Sequence, residues 1–212
     1  MTTSACCQEW TLPRLGRVEP ADALKSLTLP ELVSRYRKGV ENYDRRVFDL
    51  SEEQLDQAFL PDAGVGRWPV RVVLGHIADA EMVAVHRMRR IVAEERPVLN
   101  EWDENAFVDR NLYGVNLGPS GGGAIGAFVA TTHVLRQWTS MWFAGLSDSD
   151  MARVGLHPSR SEQSVREIVT LYTWHLEHHA AFVNEKVVRF LGEAPAQEPK
   201  KGGCGSGCGC KH

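Results

Sequence analysis

Residues 164–191, SVREIVTLYTWHLEHHAAFVNEKVVRFL, decide the architecture. Ser164 and Glu167 make the Ser-x-x-Glu box that satisfies free amides at a helix start, and Gly192 is placed to end the helix. The spacing predicts one helix from Ser164 to about Leu191. Working outward, Pro69 opens a second long helix from about Val70 to Glu94, with Val72, Val73, Ile77, Ala80, Val83, Ala84 and Met88 as its buried stripe and Pro97 as its stop. A third runs from about Ala124 to Ala144 and carries Ile125, Phe128, Val129, Val134, Leu135, Trp138 and Trp142. Thr28-Leu29-Pro30-Glu31 opens a further helix with another capping box, followed by Leu32, Val33, Tyr36, Val40 and Tyr43 at helical spacing. Ser51-Glu52-Glu53-Gln54-Leu55 starts a short one by the same logic. Nothing alternates with the period of a strand over a useful length, so an all-α four-helix bundle is expected.

The chain of 212 residues, 43% hydrophobic, can bury one substantial core. The expected organisation is an irregular N-terminal arm (1–27), the bundle (28–192) and a Pro-, Gly- and Cys-rich tail (193–212) that is flexible when nothing is bound. A net charge of -3 leaves no basic footprint for nucleic acid, and His86-Arg87-Met88-Arg89-Arg90 reads as a solvated helix face. No run approaches the ~18 apolar residues of a membrane span. Met1–Glu9 lacks the cationic start and apolar stretch of a secretory signal, so a cytoplasmic setting is expected. The five cysteines, at 6, 7, 204, 208 and 210, all lie outside the helices, so no disulfide framework staples the core. The connection from Arg96 to about Gly123 is long enough to be a functional loop or lid.

Within Trp174-His175-Leu176-Glu177-His178-His179, His175 and His179 lie one turn and about 40° apart, able to point at one ion. His178 points elsewhere and is expected at the rim. The order is not His-Glu-x-x-His: Leu176 stands where a zincin peptidase needs its glutamate, and Glu177 falls on the opposite side of the helix. His76 sits inside the apolar stripe of the second long helix, after Gly75, which suggests the close approach of another helix there. Spacing alone leaves His76 open between a third ligand and a buried, hydrogen-bonded histidine. His86, His133 and His157 have no partner at ligand spacing and are expected to be polar or surface residues.

Three segments resemble the DinB/YfiT-like metalloenzyme family. They are Trp68-Pro69-Val70-Arg71-Val72-Val73-Leu74-Gly75-His76-Ile77-Ala78-Asp79-Ala80-Glu81, then Trp102-Asp103-Glu104-Asn105-Ala106-Phe107, and the His175-x-x-x-His179 pair after Ser164-Val165-Arg166-Glu167. Together they span residues 28 to 191. The resemblance implies a four-helix bundle with a variant up-and-down topology, and a metal held by His76, His175 and His179. It also implies either thiol-dependent transfer or isomerisation, or an unknown reaction.

Three neutral imidazoles leave a coordination position open, the arrangement of a catalytic ion that acidifies water or binds a thiolate. Asp79, one turn from His76, reads equally as an orienting carboxylate, a proton acceptor or an ordinary surface residue. Trp102, Asp103 and Glu104 are candidates for the pocket mouth. In the tail, Cys204, Cys208 and Cys210, with His212, offer soft donors for a second metal site; presenting thiols and having no role are the competing readings. Two functions follow as expectations. One is a divalent-metal-dependent thiol S-transferase or hydrolase acting on a small molecule, with a low-molecular-weight thiol as a candidate substrate. The other is a non-catalytic metal-handling protein that uses bundle and tail. Zn, Ni and Fe all suit the imidazole set, and Cu is not excluded by it. A homodimer is compatible with the sequence; a nucleic-acid or membrane partner is not expected.

Overall fold

A computed structural model describes residues 21–118 and 124–195. The chain folds as α1 (Ala21–Leu24), α2 (Leu29–Arg37), α3 (Glu52–Asp56), α4 (Val70–Ala93), α5 (Glu104–Asp109), α6 (Ile125–Phe143), α7 (Asp148–Ala152), the hairpin β1 (Val154–His157) and β2 (Ser161–Ser164), and α8 (Val165–Leu191). The bundle consists of α2, α4, α6 and α8. The starts of α2 and α8 obey their capping boxes: Glu31 Oε2 accepts from the Thr28 amide at 2.8 Å, and Ser164 Oγ accepts from the Glu167 amide at 3.1 Å. Residues 1–20, most of the expected arm, lie outside the described residues, as do Pro119–Gly123 and the tail from Ala196 with its cysteines. The last part of the expected arm contains α1, whose Leu24 is buried.

Helix α2 is shorter than its apolar spacing predicts. After Arg37 the chain tightens into a 3-10 turn, Gly39–Asn42. Position 39 has no room for a side chain, since a Cβ there would overlap Nη1 of Arg136 across the bundle and lie 3.1 Å from its Cζ. Arg136 is 1% exposed and occupies the centre of the fold. Its Nε donates to Glu81 Oε2 at 2.8 Å, Nη1 to the Tyr36 carbonyl at 2.9 Å and Nη2 to the Tyr172 carbonyl at 2.5 Å. The Tyr36 hydroxyl donates to the other Glu81 oxygen. One guanidinium therefore ties α6 to α2, α4 and α8. The apolar core lies on either side of this knot, around Met88, Ile91 and Val169 toward one end and around Leu74, Ile77 and Leu176 toward the other.

The structure corrects several details. The buried side of α6 runs through Thr132, Arg136, Thr139, Ser140 and Phe143, while Val134 and Trp138 are 61% and 44% exposed. The basic stretch on α4 is not uniformly solvated: Arg87 and Met88 are buried, and Arg89 lies over the Trp138 ring at 4.5 Å. The antiparallel hairpin was not expected. It pairs Val154 with Ser164 and His157 with Ser161, and Leu99 joins it by donating to the Leu156 carbonyl at 2.8 Å. This contact turns the start of the α4–α6 connection back over the bundle.

Candidate metal centre

His76 enters the site from α4, and His175 and His179 enter from α8. Their Nε2 atoms converge: His175 Nε2 lies 3.2 Å from that of His76 and 3.2 Å from that of His179. The three ligand atoms all fall within 4.8 Å of one another. A tetrahedral ion with bonds of ~2.0–2.1 Å holds its donors about 3.3–3.4 Å apart, so the spacing of two of these pairs fits a shared ion. Burial lowers the pKa of His76 to about 4, and it drives His175 and His179 well below their ordinary value, with the neighbouring histidines acting in the same direction. All three rings are therefore neutral at pH 7 and keep a lone pair for a metal.

The rings are positioned mainly by aromatic packing. Trp102 stacks on His76 with centroids 5.2 Å apart, and Trp68 meets His76 edge-on at 5.0 Å and lies parallel to His179 at 6.4 Å. Tyr172, one turn before His175 on α8, approaches its ring at 5.8 Å. The Nδ1 atoms of His76 and His175 are buried without a hydrogen-bond partner among the described residues, so no carboxylate orients these two rings.

The angular reading of α8 agrees with the structure. Leu176 is fully buried in the core, and Glu177 turns to α2, where Arg35 Nε donates to it at 2.7 Å. His178 stands beside the centre, stacked on Trp174 at 4.8 Å and edge-on to Phe182 at 4.9 Å. His86 and His133 are exposed. His157, expected to be polar or at the surface, is only 7% exposed, because β1 turns it inward.

Asp79 makes no hydrogen bond to either orphaned Nδ1 atom and interacts instead with Tyr113. Burial raises the pKa of Asp79, and the Tyr113 hydroxyl acts in the opposite direction, although that hydroxyl makes no hydrogen bond of ordinary geometry among the described residues. Tyr113 is 2% exposed and explains Gly75: a Cβ there would come within 2.9 Å of the Tyr113 Cγ and Cε1 atoms. The close approach at Gly75 is thus a ring from the connection, not another helix. Gly75→Ala is expected to cost about 1–3 kcal/mol by overpacking, measured in urea unfolding; wild-type stability would mean that the ring yields freely. Asp103 caps α5, accepting from Asn105 and Ala106 at 3.0 and 3.2 Å, which gives it a local structural task.

Two loops bring the tryptophans to the site, and a buried cation holds each of them. Lys186 on α8 is 1% exposed and donates to the Val65 carbonyl, close to Trp68. Burial lowers its pKa to about 7. Arg87 on α4 is 4% exposed and donates through Nε and Nη2 to the Asn100 carbonyl at 3.2 and 2.6 Å, close to Trp102. Neither cation forms an ion pair among the described residues. Sequence reasoning missed these residues and Tyr172. Tyr172 alone carried a usable signal, since it lies three residues before His175 and so on the same helix face.

Comparison with known proteins adds the family context. Residues 35–183 match the DinB superfamily model. A protein of Oceanobacillus iheyensis, provisionally named a metal-dependent hydrolase, is 33% identical over 138 residues, which cover 65% of this chain and 73% of that one. YfiT of Bacillus subtilis, named in the same way, is 24% identical over 172 residues, covering 81% and 90% of the two chains. The YfiT structure, described as a four-helix bundle of unusual topology, superposes with a TM-score of 0.66 at 24% identity over 80% of this chain and 93% of that one. A mycothiol-dependent maleylpyruvate isomerase superposes with a TM-score of 0.55 at 16% identity, covering 78% and 68%. These two structures share the fold.

Proposed function

The chain belongs to the DinB superfamily, and from that premise we propose that it is a metal-dependent enzyme acting on a small molecule, as a hydrolase or a thiol S-transferase. The observation that carries this reading is the convergence of three neutral Nε2 atoms from α4 and α8. His76, His175 and His179 would hold a divalent ion, with Zn, Ni and Fe all suited to the donor set. When bound, such an ion supplies Lewis acidity that lowers the pKa of a water or a thiol at an open position. Trp68 and Trp102 wall the centre by packing on His76. Asp79, its carboxyl raised by burial, is the nearby proton acceptor in this reading. The names of the relatives favour hydrolysis; thiol transfer draws on the chemistry of an open ion and on the mycothiol dependence of one protein of this fold.

The test is elemental analysis of untagged protein beside activity against panels of activated esters and of thiol–electrophile pairs. About one divalent ion per chain is expected in the wild type. His175→Ala should lose the ion and at least 99% of any activity found, and loss of the ion with unchanged activity would sink the reading.

A second reading rests on Cys204, Cys208 and Cys210, which lie outside the described residues. On that reading the tail is a further metal site, and the protein hands ions on. A variant ending at Pro199 with undiminished affinity for thiophilic metals removes it. The enzymatic reading takes residues 28–192 as the working unit in a cytoplasmic setting, monomeric or as a homodimer. Among the described residues no helix is long and apolar enough to cross a membrane.

A further inference from the structure

Beside Tyr172, which packs on His175, the structure gathers cations that form no ion pair among the described residues. Arg87 is buried, and among the described residues its hydrogen bonds go to two neutral oxygens: the Asn100 carbonyl, and the Tyr172 hydroxyl, which takes Nη1 at 3.4 Å. Burying a guanidinium without an anion is costly, because neutral acceptors replace only part of its hydration. His157 lies buried in the same place. Its Nδ1 faces the Ser159 amide at 3.3 Å as acceptor, which leaves the neutral ring its proton on Nε2.

Arg160 stands at the tip of the hairpin, its amide donating to the His157 carbonyl at 3.3 Å. Its charge reaches Arg87, His157, Tyr172 and His175: in each case burial is the main cause of the shifted pKa, and Arg160 adds a smaller effect. Glu101 is the carboxylate that also reaches Arg87 and His157, yet it forms no ion pair among the described residues. Tyr172 accepts from Arg87 and so has its own O–H left to donate.

We propose that Arg87, Tyr172, His157 and Arg160 form a recognition site for a carboxylate carried by the substrate, next to the three-histidine centre. A guanidinium presents paired N–H donors in the planar fork that fits a carboxylate. Arg87 offers a fixed, preorganised donor, while Arg160 at the hairpin tip supplies the adaptable one. Tyr172 links the two sites, since its hydroxyl meets Arg87 and its ring packs on His175 at 5.8 Å. A carboxylate seated there brings the neighbouring atoms of a small molecule to the Nε2 cluster, so the substrate class is a small carboxylic acid with its reactive group a few bonds away.

This inference rests on the metalloenzyme reading for its catalytic meaning, but the anion site is testable by itself. Calorimetric titration of chelator-treated full-length protein with succinate, benzoate, the neutral benzamide and inorganic phosphate reads it directly. Both carboxylates should bind and benzamide should not. Arg160→Ala, a change at an exposed tip that leaves folding intact, should weaken carboxylate binding at least tenfold, and Arg87→Lys should do the same if it folds. Metal content in Arg160→Ala should equal that of the wild type, which separates this site from the histidine centre. Equal carboxylate binding by wild type and Arg160→Ala overturns the proposal. So does a preference for phosphate over both carboxylates, or the absence of carboxylate binding.

Discussion

Arg136→Met is expected to lower folding stability by about 3–5 kcal/mol, the usual consequence of removing one partner of a buried ion pair. Arg136 and Glu81 are each 1% exposed and bonded at 2.8 Å, so removing the guanidinium strands a carboxylate in the core. It also releases the Tyr36 and Tyr172 carbonyls from their donor. On a domain whose total stability is about 5–15 kcal/mol, guanidinium denaturation should show a midpoint far below that of the wild type. The double variant Glu81→Met/Arg136→Met, which leaves no charge behind, should recover much of the loss. A single variant as stable as the wild type, or a double variant no better than the single one, would show that the pair contributes little.

The second large effect is a loss of stability in acid. A histidine whose folded pKa lies below its ordinary ~6.5 binds fewer protons folded than unfolded. Its stabilisation is therefore complete above about pH 6.5 and is lost as pH falls toward the folded value. For His76 that window runs from its ordinary value near 6.5 down to about 4, and His175 and His179 shift in the same direction. At ~1.4 kcal/mol per unit, His76 alone removes about 2 kcal/mol between pH 6.5 and 5. Urea titrations of metal-free protein at pH 7.5 and 5 measure this directly. His76→Gln should flatten the difference by about that amount, and an unchanged pH dependence in the variant would rule out His76 as its source.

The bundle was legible because helix starts are written locally. The capping boxes at Thr28 and Ser164 and the proline at 69 specify helix ends without reference to the rest of the chain. The same holds for His175 and His179, whose angular relation follows from helix geometry. His76 needed the family resemblance, since no local signal says that α4 meets α8 at that level. What was hidden depends on long-range packing. Arg136 carries a charge that belongs at the surface by type, and only the opening at Gly39 and the carboxylate of Glu81 explain its place inside. The hairpin was hidden because four-residue strands, one of them Ser-Glu-Gln-Ser, show no usable alternation. His157 and Arg160 could not be read as neighbours of Arg87 until that hairpin had been placed.

The contact of Trp68 and Trp102 with His76, at 5.0 and 5.2 Å, gives the centre its own optical reporter. The chain has six tryptophans, and these two lie against a ring whose electronic state changes on protonation or on donating a lone pair. Filling or emptying the centre should therefore register in the ultraviolet emission of the unlabelled protein. Replacing either indole with phenylalanine would identify its share of the signal.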